Sequence, residues 1–242
     1  MLRVGSRSFI ALLSLGALIA GSANAATLTI SPVGVVLEFG QTSAALEVKN
    51  SDIQPITVQV RIYSWSQVAN EDVLVPTSDV ILSPPIATIQ GGAAQTLRML
   101  LRPGVTADAG RERHYRVLLD EIPTSTGGPG HLSFAMRASI PVFVLPQRPS
   151  TPSLQWQAAR DQNGAVVLTA TNSATAYDRI FDVVATLHDG SIRNGILRGS
   201  NAYVLPHSQR QWVVQGNVGT GPLRLNVATR NGKTEQILPI SP

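Results

Sequence analysis

Short runs in which apolar and polar residues alternate recur along most of the chain and predict β-strands. Clear examples cover residues 45–50, 56–63, 96–101 and 115–120. Because successive side chains of a strand point to opposite faces, a period of two indicates strands with one buried face. Gly, Pro, Asn and Asp interrupt the runs as they do in turns, and no segment after residue 25 has a convincing helical period. The pattern predicts an all-β protein.

A proline-rich stretch divides this pattern into two parts. Residues 26–146 hold about seven predicted strands, which is the number that an immunoglobulin-like sandwich needs. Pro146, Pro149 and Pro152 then follow one another closely. Since proline bars regular strand pairing, residues 147–152 are predicted to form a stiff linker. The strand pattern resumes at residue 153 and predicts a second, smaller β-sandwich or barrel that runs to residue 242.

The first 25 residues have the features of a secretory signal peptide. Arg3 and Arg7 form a short basic region, residues 9–20 are mostly apolar, and residues 23–25 (Ala-Asn-Ala) form the small-residue pattern that signal peptidase cleaves. An uncleaved anchor helix is the alternative, but the apolar run is shorter than the roughly 20 residues that cross a membrane. We expect cleavage after Ala25, export, and no membrane insertion of the mature chain.

Composition narrows the possible classes of function. The chain has 19 Lys and Arg against 15 Asp and Glu. This basic surplus is small and forms no patch, whereas a nucleic-acid-binding protein usually has a large surplus that is clustered on its surface. The absence of cysteine excludes disulfides, thiolate metal sites and cysteine nucleophiles. The four histidines are far apart in the sequence, and the adjacent carboxylates Asp120 and Glu121 would face opposite sides of a strand. We therefore expect no catalytic site, no metal and no cofactor.

The segment from His131 to Val144 differs from the other runs in its length. Its even-numbered positions are apolar from Leu132 onward, whereas its odd-numbered positions are polar early and apolar late. Pro141 has no backbone N–H to donate to a neighbouring strand, so this position lies at a sheet edge or at a bulge. Such an edge strand either packs its apolar face inside its own domain or offers it to a foreign sheet, and the pattern fits both.

Several motifs together resemble the PapD-like periplasmic chaperones of pilus assembly. In the first part of the chain they are Ser-Pro-Pro at 83–85, Arg-Glu-Arg at 111–113, Glu-Ile-Pro at 121–123 after a strand, and the run at 138–144. In the second part, Tyr-Val-Leu-Pro at 203–206 with Arg210 and Trp212 is similar to the branch associated with archaic-type and spore-coat-like pilins. The resemblance spans nearly all of the mature chain.

This resemblance implies a fold and a function. The fold would be two immunoglobulin-like β-sandwich domains in an L or boomerang arrangement, and the protein would work in the periplasm without a cofactor. Its function would be to stabilise incomplete pilus subunits by donor-strand complementation and to deliver them to an outer-membrane usher. The resemblance assigns the side chains that enter the subunit to Leu132, Phe134, Met136 and Ile140.

The chain departs from the family pattern at the charged positions. Family members anchor the carboxylate at the C-terminus of the subunit with an Arg and a Lys, but the matching positions are Gly34 and Pro141. The anchor is therefore unassigned, and Arg98, Arg137 and Arg148 are candidates by charge alone. The resemblance also implies an ion cluster between the domains. Glu112 matches this cluster, while Leu145 stands where an Arg is expected and Arg148 is a possible substitute.

The alternative function is that of a secreted structural or adhesive β-sandwich, such as a pilin-like or sugar-binding protein. A pilin would usually carry an alternating donor segment at its mature N-terminus. Here only residues 26–30 precede Pro32 after the predicted cleavage site, which is short for such a segment.

Overall fold

The computed structural model describes residues 28–105, 110–123 and 135–242, and the regular structure of these residues consists of 19 β-strands. The predicted signal peptide lies outside the described residues, and so do Leu132 and Phe134. No helix among the described residues has the length and apolar character to cross a membrane.

Ten strands form the N-terminal domain. They are β1 (Leu28–Ser31), β2 (Val35–Leu37), β3 (Ser43–Asn50), β4 (Ile56–Val68), β5 (Glu71–Pro76), β6 (Val80–Ser83), β7 (Ile86–Ile89), β8 (Ala94–Leu101), β9 (Arg113–Ile122) and β10 (Arg137–Val144). One sheet has the order β1-β3-β8-β6, and the other has the order β2-β10-β9-β4-β5, with β7 also paired to β4. Inward-facing residues of both sheets, among them Leu46, Val58 and Leu119, form one buried core.

Nine strands form the C-terminal domain. They are β11 (Leu154–Arg160), β12 (Val166–Asn172), β13 (Asp178–Thr186), β14 (Ile192–Arg198), β15 (Tyr203–Val204), β16 (Gln209–Val214), β17 (Leu223–Thr229), β18 (Gly232–Leu238) and β19 (Ile240–Ser241). Their order is β18-β17-β13-β14-β16-β12-β11-β19, with β15 paired to β13. Trp156 and Trp212 lie in the core of this domain, with ring centroids 5.2 Å apart. The prediction of a two-domain, all-β fold is confirmed.

The long strand β4 shows how the two domains meet. Ile56, Val58 and Val60 point into the core of the N-terminal domain, whereas Trp65 and Gln67 lie on the opposite face of the strand. A side chain on that outer face would normally be solvated, but both of these residues are buried. They are buried because the C-terminal domain covers this end of the sheet, where the Tyr203 ring packs against Trp65 and the Tyr203 carbonyl accepts a hydrogen bond from Gln67.

Candidate functional site

Strand β10 has a backbone edge that is only partly paired. Along one side it pairs with β9 in antiparallel register from Arg137 to Val144. Along the other side it pairs with β2, in parallel register, only from Val142 to Val144. The described residues thus provide no partner strand for this second side of residues 137–141. Unpaired backbone groups in such a row form a template for an added strand.

The even-numbered side chains of β10 face the core of their own domain. Ile140 is 3% exposed and belongs to the N-terminal core cluster, as do Val142 and Val144 on the same face. Met136 and Ala138 are partly buried against the same cluster. The apolar face predicted from the alternation is therefore buried in its own domain at residue 140, and its side chains are less buried toward residue 136.

This burial changes the role we give to Ile140. The resemblance assigned it to the side chains that enter a subunit, but a side chain that already fills its own core is unavailable to a partner. We reassign Ile140 as an anchor that holds β10 in its sheet. Leu132 and Phe134 lie outside the described residues, and their assignment stays a proposal. Met136 is only partly buried, and its assignment also stays a proposal.

Two adjacent carboxylates fix the beginning of β10. The Glu121 backbone N–H donates to the Met136 carbonyl at 2.9 Å, and the Met136 N–H donates to Glu121 Oε2 at 3.1 Å. Arg61 and Arg137 both donate to the carboxylate of Asp120. Burial alone would raise the pKa of Asp120, but these two guanidinium groups lower it. The positions of Met136 and Arg137 are thus fixed by side-chain hydrogen bonds as well as by strand pairing.

An aromatic cluster joins the two domains at the far end of β10. It consists of the aromatic residues Trp65, Phe143 and Tyr177 together with Leu205, and all four are buried. The rings of Phe143 and Tyr177, one from each domain, stack with centroids 3.5 Å apart. Stacked and edge-on aromatic pairs stabilise beyond the area that they bury. Leu145, at the position where the family resemblance expects an Arg, packs against this cluster.

Glu112 lies beside the aromatic cluster and bonds across the domain boundary. Its Oε2 accepts a hydrogen bond from the backbone N–H of Tyr177 at 2.9 Å. The same oxygen lies 3.3 Å from Nε2 of His114. The side chain that the resemblance assigned to an interdomain ion cluster is therefore bonded to a backbone amide of the second domain and to a neighbouring histidine.

A buried arginine forms the centre of a second interdomain contact. Arg210 is 0% exposed and donates to the backbone carbonyls of Tyr203 and Asn70 and to Oδ1 of Asp72. Asp72 also accepts hydrogen bonds from four further donors, which are Trp65 Nε1, Gln67 Nε2, Ser200 Oγ and Asn201 Nδ2. Burial opposes ionisation of Asp72, but the hydrogen bond from Trp65 and the charge of Arg210 lower its pKa below the ordinary 3.8.

The tip of the β4–β5 hairpin enters this contact. Val68 pairs with Glu71, so Ala69 and Asn70 form a two-residue turn, with φ angles of 48° and 72°. Positive φ at both central residues is the type I′ geometry that suits the twist of a hairpin. Asn70 uses its side chain to bond the C-terminal domain, since its Nδ2 donates to Arg198 O at 3.0 Å and its Oδ1 accepts from Gln211 N at 2.9 Å.

A cleft between the domains lies next to the open part of β10. Residues that line it come from both domains, namely Val33, Asp72, Leu74, Arg116, Ser139 and Pro141 from the first and Arg179, Ser200, Asn201 and Tyr203 from the second. Gly34 lies close to this cleft, because a β-carbon added there would be 3.4 Å from Pro141 Cγ. The two uncharged family positions are thus neighbours in space.

Arg116 lies beside these two positions and was missed at the level of sequence. It is directly opposite Pro141 in the β9–β10 register, and its side chain is 5% exposed. Its guanidinium carbon lies 3.7 Å above the ring of Trp65. The sequence shows an arginine on the outer face of a strand, where solvent is the ordinary surrounding. Only the packing of the second domain makes this arginine buried.

Comparison with solved structures gives the same two-domain fold. The CsuC–CsuE chaperone–tip adhesion subunit pre-assembly complex from archaic chaperone-usher Csu pili of Acinetobacter baumannii contains a chain with a TM-score of 0.64 and 24% identity, over 90% of this chain and 100% of that chain. The complex of the SafA pilin with the SafB chaperone from Salmonella enterica contains a chain with a TM-score of 0.61 and 20% identity, and the match covers 90% of this chain and 99% of that chain. The E. coli chaperone DraB matches with a TM-score of 0.60 and 19% identity, over 88% of this chain and 97% of that chain.

The sequence itself matches a known family over just over half of its length. No curated protein matches the chain. Residues 27–150, however, match the pili and flagellar-assembly chaperone family at its PapD N-terminal domain. This range contains the open edge of β10, Glu112 and the first-domain wall of the cleft. The chain therefore belongs to the PapD-like family of pili and flagellar-assembly chaperones.

Proposed function

We propose that the protein is a periplasmic chaperone that stabilises incomplete pilus subunits by adding a strand to them, and that it delivers them to an outer-membrane usher. The observation that carries this proposal is the open side of β10 at residues 137–141, next to an alternating apolar segment. A subunit that lacks a strand exposes unpaired backbone groups and an apolar groove, and both are prone to aggregation. An added strand would satisfy both at once.

The energetic part of the proposal rests on Leu132, Phe134 and Met136. Burying one large apolar side chain contributes roughly 1.5–3 kcal/mol. Leu132 and Phe134, with a smaller share from the partly buried Met136, would therefore contribute several kcal/mol before the ordering of the segment is counted. The hydrogen bonds from Met136 to Glu121 and from Arg137 to Asp120 reduce that ordering cost, because these two residues are already held in place before a partner binds.

Family membership supports the proposed location and partners. SfaE, a solved structure with the same fold, is described as a periplasmic chaperone, and SafB is solved with the SafA pilin. The predicted signal peptide agrees with export to the periplasm. Membership in a chaperone family counts against the alternative of an adhesive or sugar-binding β-sandwich. It also supports a non-catalytic role.

Co-expression with a candidate subunit tests the proposal. An exported β-rich subunit encoded beside this chain is expressed in the periplasm alone, with the wild-type chain, or with Phe134→Asp. We expect the subunit to accumulate and co-purify only with the wild-type chain, since a carboxylate cannot enter an apolar groove without a large desolvation cost. A matched control is Phe39→Asp, because Phe39 is 54% exposed in the turn after β2. Equal accumulation of the subunit in the absence of the chaperone would refute the proposal.

A further inference from the structure

Two strand edges of the C-terminal domain lie beside each other and are unpaired along most of their length. Strand β18 pairs with β17 on one side, and the described residues provide no strand for its other side. Strand β11 pairs with β12 along its whole length, but with β19 only at Ala158 and Ala159. The chain crosses from one edge to the other at Pro239, between β18 and β19. The two edges are therefore joined at that end, and β11 has a free side from Leu154 to Gln157.

A pocket of about 280 Å³ lies between these two free edges. Leu154 and Trp156 line it from β11, and Thr234 and Gln236 line it from β18. Because side chains alternate along a strand, Thr234 and Gln236 lie on the same face as Leu238, which belongs to the core of the domain. The inner face of β18 thus changes from apolar to polar where it reaches the pocket, and its wall offers hydroxyl and amide groups to a ligand.

Asp178 lines the same pocket and is a buried carboxylate without a cationic partner. It is 4% exposed, and no Lys, Arg or His of the described residues is within ion-pair distance of it. Its Oδ1 accepts hydrogen bonds from Arg179 N at 2.8 Å and from Asn231 Nδ2 at 3.1 Å. Its Oδ2 accepts no hydrogen bond from any described residue. A carboxylate removed from water is unfavourable unless a cation or further donors replace its hydration, so this oxygen is suited to a cation from outside.

The other charged residues of the pocket leave the Asp178 carboxylate available. Glu235 is paired with Arg224 at 2.7 Å. Lys233 lines the pocket, but its amine is not within ion-pair distance of Asp178. Trp156 supplies an apolar, aromatic part of the wall, and aromatic faces attract ammonium groups. A buried carboxylate, neutral acceptors and an aromatic wall together suit a primary ammonium group on an apolar stem.

We propose that this pocket binds the ammonium group of a lysine side chain in an extended segment of a protein partner, with Asp178 as the counter-ion. Lysine carries its charge on a long apolar stem, which fits the Leu154 and Trp156 side of the wall. The flanking edges favour a peptide over a free amine, because unpaired backbone groups at residues 154–157 and 232–238 can bond an extended main chain. The proposal does not rest on the proposed function, since the pocket is in the C-terminal domain and the subunit strand is placed along β10.

The first test titrates the blocked peptide Thr-Val-Lys-Val-Thr into the full mature chain and follows side-chain N–H signals by NMR. We expect shifts at Trp156 and Asn231 and none at Trp65, which lies in the interdomain cluster. The same peptide with norleucine in place of lysine keeps the stem without the charge and should bind at least about tenfold more weakly. Equal binding of the two peptides, or shifts that spare Trp156 and Asn231, would overturn the proposal. Blocked lysine alone that binds as tightly as the peptide would overturn the peptide segment as the ligand.

The second test changes the counter-ion. Asp178→Asn keeps the oxygen that accepts from Arg179 and Asn231, so the local hydrogen bonds of the fold are retained. We expect it to weaken binding of the lysine peptide by roughly 10- to 100-fold and to leave the weak binding of the norleucine peptide unchanged. Asp182→Asn is the matched control, because Asp182 is an exposed residue of the same strand. Unchanged affinity of the folded Asp178→Asn variant for the lysine peptide would overturn the proposal.

The third test separates a foreign lysine from the lysine of this chain. If the ligand comes from a partner, Lys233→Met removes a like charge from the pocket and should strengthen binding of the lysine peptide by about two- to tenfold. Binding that is absent in the wild type and appears only in Lys233→Met would assign the pocket to Lys233 itself and would overturn the proposal.

Discussion

Replacing Arg210 with methionine should destabilise the protein by removing the central contact between the domains. Arg210 is fully buried and donates to two backbone carbonyls and to the Asp72 carboxylate. Removing one partner of a buried ion pair costs about 3–5 kcal/mol, because the other charge stays buried without compensation. Asp72 keeps four other hydrogen-bond donors, so the loss should fall near the lower end of that range.

Urea unfolding monitored by tryptophan fluorescence measures this loss, since Trp65 donates to the same carboxylate and lies in the interface. We expect Arg210→Met to lower the free energy of unfolding by about 3 kcal/mol. The double variant with Asp72→Asn should lose less than the sum of the single variants by at least about 1 kcal/mol.

Two results would refute this reasoning. A loss below about 1 kcal/mol for Arg210→Met would mean that the buried contact contributes no more than an exposed pair does. Additive losses in the double variant would mean that Arg210 and Asp72 do not act through each other. Arg224→Gln is the control for removing an arginine, because its exposed pair with Glu235 should contribute at most about 1 kcal/mol.

Three further predictions concern single residues. Ala69→Gly should raise the free energy of unfolding by about 0.5–1 kcal/mol in urea, because alanine at a φ of 48° is strained, and a loss of stability would contradict this. Asp72 should stabilise the fold above pH 3.8 and lose this contribution as the pH falls through its lowered folded-state pKa, so that acid unfolding of Asp72→Asn lacks that step. Glu121→Ala should speed amide exchange at Met136 about two- to tenfold, whereas Glu121→Gln, which keeps an acceptor oxygen, should change it less.

Much of the fold follows from the sequence because its signals are local. Alternation predicts strands such as β3 and β4, and the prolines around residue 149 mark the point between the last strand of one domain and the first of the next. The edge position of Pro141 also follows locally, since a residue without an N–H is poorly suited to a fully paired strand.

The site required information that local patterns do not contain. Trp65 and Arg116 are on the outer face of their sheet, and alternation alone predicts that such residues are solvated. Both are buried because the C-terminal domain packs on that end of the sheet, where Tyr203, a residue distant in the sequence, contacts both of them. The role of Ile140 was misassigned for a related reason, since a continuous alternating run does not show where a strand leaves its own core.

Hydrogen–deuterium exchange of the chaperone with and without its bound subunit tests the central claim most directly. If a subunit strand pairs with the open side of β10, a peptide that covers residues 131–141 should exchange more slowly in the complex. Peptides from the β17–β18 hairpin, at the far edge of the C-terminal sheet, should be unchanged. Protection elsewhere, with residues 131–141 exchanging at the same rate in both states, would contradict the account.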